Sequence, residues 1–134
     1  MELSKSARDL YLQGYNCSET ILHFLKQNNI LNVSDEILSA LTGFRAGIAG
    51  NGCICGVVTA SILAIGLKYG SIDKKEVEKK TKIFYEKFKE NYKSHCCRIL
   101  TRKFKDNFNT KERREFCSEI VESMAKELVE ILNN

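Results

Sequence analysis

There is not one proline in the 134 residues of this chain. Proline is the usual helix breaker and turn former, so a chain without it can run helix after helix with little interruption. Apolar residues recur at three- and four-residue spacing in almost every segment, and nowhere does the two-residue alternation of a half-buried strand take over. The predicted fold class is therefore all-α: a compact single-domain helical bundle of about five to six helices over residues 1–134, with a glycine-rich loop before the central helix. At 43% hydrophobic and 28% charged residues, the chain can bury one core and is not of disordered composition.

The periodicity places the helices. Ala7, Leu10, Gly14, Cys17, Ile21 and Phe24 predict one helix from about residue 4 to 27. Ser34 followed by Asp35 and Glu36 reads as an N-cap with acids in the first turn, opening a short helix that ends near Gly43. A helix from about 54 to 68 closes at Gly70, and Ser71-Ile72-Asp73 starts a long one through about 93, with Val77, Thr81, Phe84, Phe88 and Tyr92 on one face. A short piece lies at 96–104, and Thr110 caps a last helix that turns Cys117, Ile120, Met124, Leu128 and Ile131 inward.

Residues 47–56 read GIAGNGCICG, four glycines and two cysteines in ten positions. Gly50, Gly52 and Gly56 match a relaxed GxGxxxG, but a dinucleotide cradle requires a strand before it and a parallel sheet around it, and no GK[ST] follows for a phosphate loop. Close packing is the plainer reading: Gly56, Ala60 and Ala64 leave a smooth ridge for a neighbouring helix.

Charge and hydropathy exclude further classes. Residues 73–114 hold 15 Lys/Arg against 7 Asp/Glu, a local +8 that leaves −4 for the rest. Acids and bases alternate there at helical spacing, as on a solvated face, and no nucleic-acid motif accompanies them, so no nucleic-acid partner is expected. Residues 46–67 carry no charge, yet five glycines, Asn51 and two cysteines make them a buried core helix with its approach rather than a membrane span. The opening MELSKSARDL has no apolar leader segment, which points to a cytoplasmic location.

The six cysteines are Cys17, Cys53, Cys55, Cys96, Cys97 and Cys117, with no C-x-x-C pair among them. Any one alone reads as a small buried hydrophobe. Together they place one thiol from each of four segments toward the interior, as bundles do when they build metal and cofactor sites. Cys53 and Cys55, two apart on a continuous helix, would point about 200° apart. Helical phase selects Cys55 for the inward set and leaves Cys53, with Cys96, auxiliary. A thiol at a helix N-terminus is acidified by the backbone dipole, which marks Cys55 as the activated thiol. Arg98 could stabilise a thiolate at Cys97, and His95 reads either as a ligand or proton carrier or as a solvent-exposed helix-end residue. His23 reads as a surface or packed side chain.

As a set, GYNCSET around Cys17, GNGCICGVVTASILAIGLKYG around Cys55, CRILT from Cys97 and FCSEIV around Cys117 resemble the C_GCAxxG_C_C family of redox-active proteins. Val57 stands where that pattern usually has alanine, and Ala60 where it has its second glycine. The resemblance implies a helical domain with a redox-related function and selects Cys97 from the adjacent pair.

Three functions then stand open. In the first, Cys17, Cys55, Cys97 and Cys117 ligate an iron–sulfur cluster or a metal ion for electron transfer, a set of four thiolates that suits either. In the second, the protein is a thiol–disulfide oxidoreductase with Cys55 and Cys97 as catalytic candidates and Cys55 as the attacking thiol. In the third, it is a non-redox helical partner-binding protein whose cysteines fill the core. An electron-transfer protein is a candidate partner, and a homodimer a candidate assembly.

Overall fold

The computed structural model describes residues 5–105, 107 and 110–134. Among them seven α-helices follow one another: α1 (Ala7–Leu12), α2 (Cys17–Gln27), α3 (Asp35–Ala40), α4 (Gly56–Tyr69), α5 (Lys74–Tyr92), α6 (Cys97–Leu100) and α7 (Lys111–Asn133), with 3-10 turns at Thr42–Phe44 and Arg102–Phe104. There is no strand among the described residues, and the all-α reading holds.

Side-chain caps begin most of these helices. Ser6, Ser34, Asp73 and Thr110 each accept a hydrogen bond from a backbone N–H of the first turn, as does Asn16. The helix expected over 4–27 is two helices; its expected start lies outside the described residues. The break is at Gly14, where φ is +121°, a conformation open to glycine and strained for other residues. The adjacent Asn16–Glu19 capping box then restarts the chain as α2. That split and the four-residue α6 account for seven helices where five to six were expected.

α4 is the centre of the bundle. α2 and α5 pack on it, and α7 runs past α1, α2, α4 and α5. Phe24 of α2, Ile65 of α4, Phe84 and Phe88 of α5, and Met124 and Leu128 of α7 are fully buried where these helices meet. The small-residue ridge is used as its spacing suggests: Gly56 meets Cys17 and Ser18 of α2, and Ala60 and Ala64 are fully buried. At the far end of α7, Lys68 Nζ and Tyr69 OH donate to the carbonyl of Leu132, and Lys80 Nζ donates to that of Ile131 at 3.0 Å. These donors satisfy carbonyls that a helix end leaves without an intrahelical partner. No described helix is long and apolar enough to cross a membrane.

Candidate functional site: four thiols around one cavity

The N-terminal ends of α2 and α4 meet. Asn16 Oδ1 accepts from the Glu19 amide at 2.8 Å while Glu19 Oε1 accepts from the Asn16 amide at 2.9 Å, fixing Cys17 as the first residue of α2. Cys55 is the N-cap of α4, whose first residue is Gly56 rather than the expected Ile54. Just before α4 the chain pairs antiparallel with residues 95–98. The Cys55 amide donates to the His95 carbonyl at 2.7 Å, the Cys97 amide to the Cys53 carbonyl at 2.5 Å, and the Arg98 amide to the Gly52 carbonyl at 3.0 Å, around an Ile54–Cys96 bridge. This pairing ties α6, and with it Cys97, to the start of α4. Because Cys53 precedes the helix, helical phase does not separate it from Cys55, contrary to the sequence argument. It differs instead by exposure: Cys53 is exposed and Cys55 buried.

A turn of opposite hand precedes the pairing. Ala46, Gly47, Ile48, Ala49 and Gly50 all have φ between +48° and +80°, five consecutive residues in a conformation that L side chains rarely hold. Gly47 is there because nothing larger fits: a Cβ on it would lie 2.4 Å from the Cys53 amide nitrogen and 2.9 Å from Cys97 Cβ.

Cys17, Cys55, Cys97 and Cys117 all line one cavity of about 320 Å³. Within it, the thiols of Cys117 and Cys55 are the groups that act most on the titration of Cys17. Its bond with Cys117 lowers its pKa, but the bond with Cys55, burial and the charges of Cys55 and Cys97 outweigh it, so the net direction is well upward. Cys117 also titrates well above the ordinary thiol range, raised first by its hydrogen bond with Cys17 and then by burial, with Arg113 and the hydroxyl of Tyr11 opposing. Burial likewise pushes Cys97 up, against the pull of Arg113. Burial and the neighbouring Cys17 and Cys117 raise the Tyr11 phenol, against Arg114 and Arg113.

The arginine at Cys97 is not Arg98. Arg98 packs over Gly52 and its guanidinium donates to the Asn51 carbonyl at 3.4 Å. Arg113, only 4% exposed, donates to Cys97 Sγ at 3.5 Å. Its position is legible in the sequence after all, since Arg113, Cys117 and Ile120 share one face of α7 at four- and three-residue spacing. Tyr11 and Arg114, the other residues missed, complete the wall: Arg114 donates to the Tyr11 carbonyl and its guanidinium lies 4.4 Å from the centre of the Tyr11 ring.

The remaining candidates lie elsewhere. His95 Nδ1 is paired with the Tyr85 hydroxyl at 2.5 Å, and only its carbonyl serves the site, by holding the Cys55 amide. Cys96 Sγ donates to the Gly52 carbonyl at 3.2 Å. His23 stacks on Tyr15 with ring centres 4.3 Å apart, and burial lowers its pKa.

A family model described as "Putative redox-active protein (C_GCAxxG_C_C)" matches residues 15–131. The chain belongs to the C_GCAxxG_C_C family. No curated protein and no solved structure matches it. The match takes in all four cavity thiols, Arg113 and the loop that carries Gly47. For this C_GCAxxG_C_C protein a bound metal can be tested against the residues present. Among the described residues no three His, Cys, Asp or Glu side chains come together closely enough to hold a metal ion. A single tetrahedral ion, which needs its thiolates at about 2.3 Å, does not fit the thiols as they stand. A polynuclear cluster spreads its ligands more widely, and four thiols around a shared space match its donor chemistry.

Proposed function

We propose that this redox-active family member works by thiol–disulfide exchange in the four-thiol cavity, with Cys55 and Cys17 as the reacting pair. The observation that carries this reading is that Cys17 and Cys55 line one cavity at the meeting point of two helix N-termini, packed so closely that a Cβ on Gly56 would lie 3.1 Å from Cys17 Cβ. Cys55, as thiolate, attacks one sulfur of a partner's disulfide; that S–S bond breaks and the first partner sulfur leaves as a thiolate that takes up a proton. Cys17 then attacks Cys55 Sγ in the mixed disulfide, releasing the second partner thiol. The partner gains two electrons and two protons, and the protein is left with a Cys17–Cys55 disulfide. A reduced dithiol protein, the electron-transfer partner, returns it to the dithiol by the same exchange in reverse.

Burial protects this pair while delaying it. With Cys17 raised, its thiolate is scarce near neutral pH, and its attack on the mixed disulfide speeds up as pH rises. Cys97, bonded to Arg113, stands apart from the reacting pair and its thiolate is the one a cation directly supports.

A second reading has its own support: four thiols line the same cavity beside a buried arginine. Cys17, Cys55, Cys97 and Cys117 would hold an iron–sulfur cluster, which when bound supplies one-electron transfer. Arg113 would offset negative charge at Cys97.

Protein purified without oxygen separates the two. Thiol–disulfide chemistry requires colourless protein with six titratable thiols, two of which are lost on treatment with a disulfide, with Cys17 and Cys55 joined in the peptide map. Cys55→Ser abolishes that loss and Cys17→Ser stops it at a mixed disulfide on Cys55, whereas Cys53→Ser and Cys96→Ser leave it. Brown protein with acid-labile sulfide, lost in each of the four cavity variants, would overturn exchange in favour of the cluster.

A further inference from the structure

The cavity wall has a marked sign of charge. Among the described residues Arg45, Arg113 and Arg114 line it against one carboxylate, Glu19, which is engaged in the capping box of α2, while Arg113 also donates to Cys97 Sγ and Arg114 to the Tyr11 carbonyl. Three helices of 11, 14 and 23 residues also begin at this cavity: Cys17 is the first residue of α2, Gly56 the first of α4, and Arg113 and Arg114 lie in the first turn of α7. Each such start carries the positive end of a backbone dipole, equivalent to about half a unit charge. Low-dielectric walls concentrate such a field inside a cleft and raise the local concentration of ions of opposite sign. The volume, about 320 Å³, lies at the small end of ligand sites. It suits a small molecule better than a folded partner's surface.

We propose that the cavity takes a small disulfide carrying carboxylate groups, its negative charge held by Arg45, Arg113 and Arg114 while its sulfurs meet Cys55 and Cys17. This rests on the exchange reading above and names its substrate class. In one turnover the S–S bond of the small disulfide breaks, one S–S bond forms between Cys55 and Cys17, and two protons end on the two carboxylate-bearing thiols. Arginine suits this task because its planar guanidinium binds a carboxylate through two parallel hydrogen bonds.

The test compares three disulfides of similar size and differing charge: 3,3′-dithiodipropionate (anionic), bis(2-hydroxyethyl) disulfide (neutral) and cystamine (cationic). Each rate with the reduced protein is divided by its rate with N-acetylcysteine amide, removing intrinsic reactivity. The anionic compound is expected to be favoured by roughly tenfold over the neutral one, with cystamine slowest, as steering by a charged cleft gives. High salt should erase the preference, and so should Arg114→Gln or, in an exposed position that folding tolerates, Arg45→Gln. Equal normalised rates, or a preference that both variants keep, would overturn it. A second arm does not depend on exchange at all: alkylation of Cys17 by iodoacetate against iodoacetamide, on the same model-thiol scale. If no disulfide oxidises the pair while iodoacetate is still favoured, the exchange reading fails and the anion-selective cavity stands. Without a preference for iodoacetate, the cavity has no anion selectivity and the proposal is lost.

Discussion

A Cβ on Gly56 would lie 2.6 Å from Ser18 Oγ, 2.9 Å from the Ser18 amide nitrogen and 3.1 Å from Cys17 Cβ. One of these atoms belongs to the backbone of α2, so it cannot swing aside. Gly56→Ala is therefore expected to cost about 1–3 kcal/mol, the range for overfilling a packed site, even though alanine is the better helix former. Urea titration measures that cost. The same variant moves Cys17 away from Cys55, so the yield of their disulfide in a defined thiol–disulfide buffer should fall. Protonation gives a second expectation. Cys117 is raised by its contact with Cys17 and by burial, and Cys17 and Cys97 are also raised, so the folded chain holds these protons more tightly than the unfolded chain does. Their contribution is complete below the ordinary thiol value, about 8.5, and is lost as pH rises beyond it. Urea midpoints should hold between pH 7 and 8 and fall from pH 9 upward, with a shallower fall in Cys117→Ala. At this scale the family pattern named the four thiols that line the cavity, while helical phase supported only Cys17 and Cys117: Cys97 came from the pattern, and Cys55 precedes α4, where phase does not apply. The sequence did not disclose Arg113 as the partner of Cys97, since neighbourhood along the chain favoured Arg98 and only the face shared with Cys117 pointed the other way.

Between the residue and the molecule stand the pieces of chain that aim the thiols. The caps at Ser34 and Thr110 were readable because a polar side chain and the amide it accepts from lie three residues apart, and Ser71-Ile72-Asp73 marked the start of α5 without singling out Asp73 as its cap. The division of α1 from α2 was not readable: Gly14 falls in phase with the apolar stripe, and periodicity cannot register a left-handed φ. Nor could it foresee the pairing of residues 52–55 with 95–98, which depends on two segments far apart in sequence. The left-handed stretch from Ala46 to Gly50 has a cost that can be measured. Ile48 sits at φ +72° with its β-branched side chain 43% exposed. Such a conformation disfavours an L residue by roughly 1–2 kcal/mol, of which glycine recovers most after its own greater loss of freedom. Ile48→Gly should accordingly raise stability by about 1 kcal/mol in the same titration.

Across the molecule, α7 joins what the other helices assemble, with α1, α2, α4 and α5 all packed against it. Leu128 is fully buried in that contact, three turns beyond Cys117 and about 16 Å along the helix. Leu128→Ala should cost about 2–5 kcal/mol, as cavity-forming changes do, while leaving the alkylation rates of folded protein unchanged. The general architecture was the most legible part of this chain, because a helix records itself locally in every turn. The cavity was the least, because its thiols come from positions 17, 55, 97 and 117 and only a finished fold brings them together. That scattering has a consequence in time. Without proline, no peptide-bond isomerisation can hold back a fraction of refolding molecules for tens of seconds. Refolding should then be a single phase, and a brief alkylating pulse should find all four cavity thiols becoming shielded together, at the moment the last helix docks.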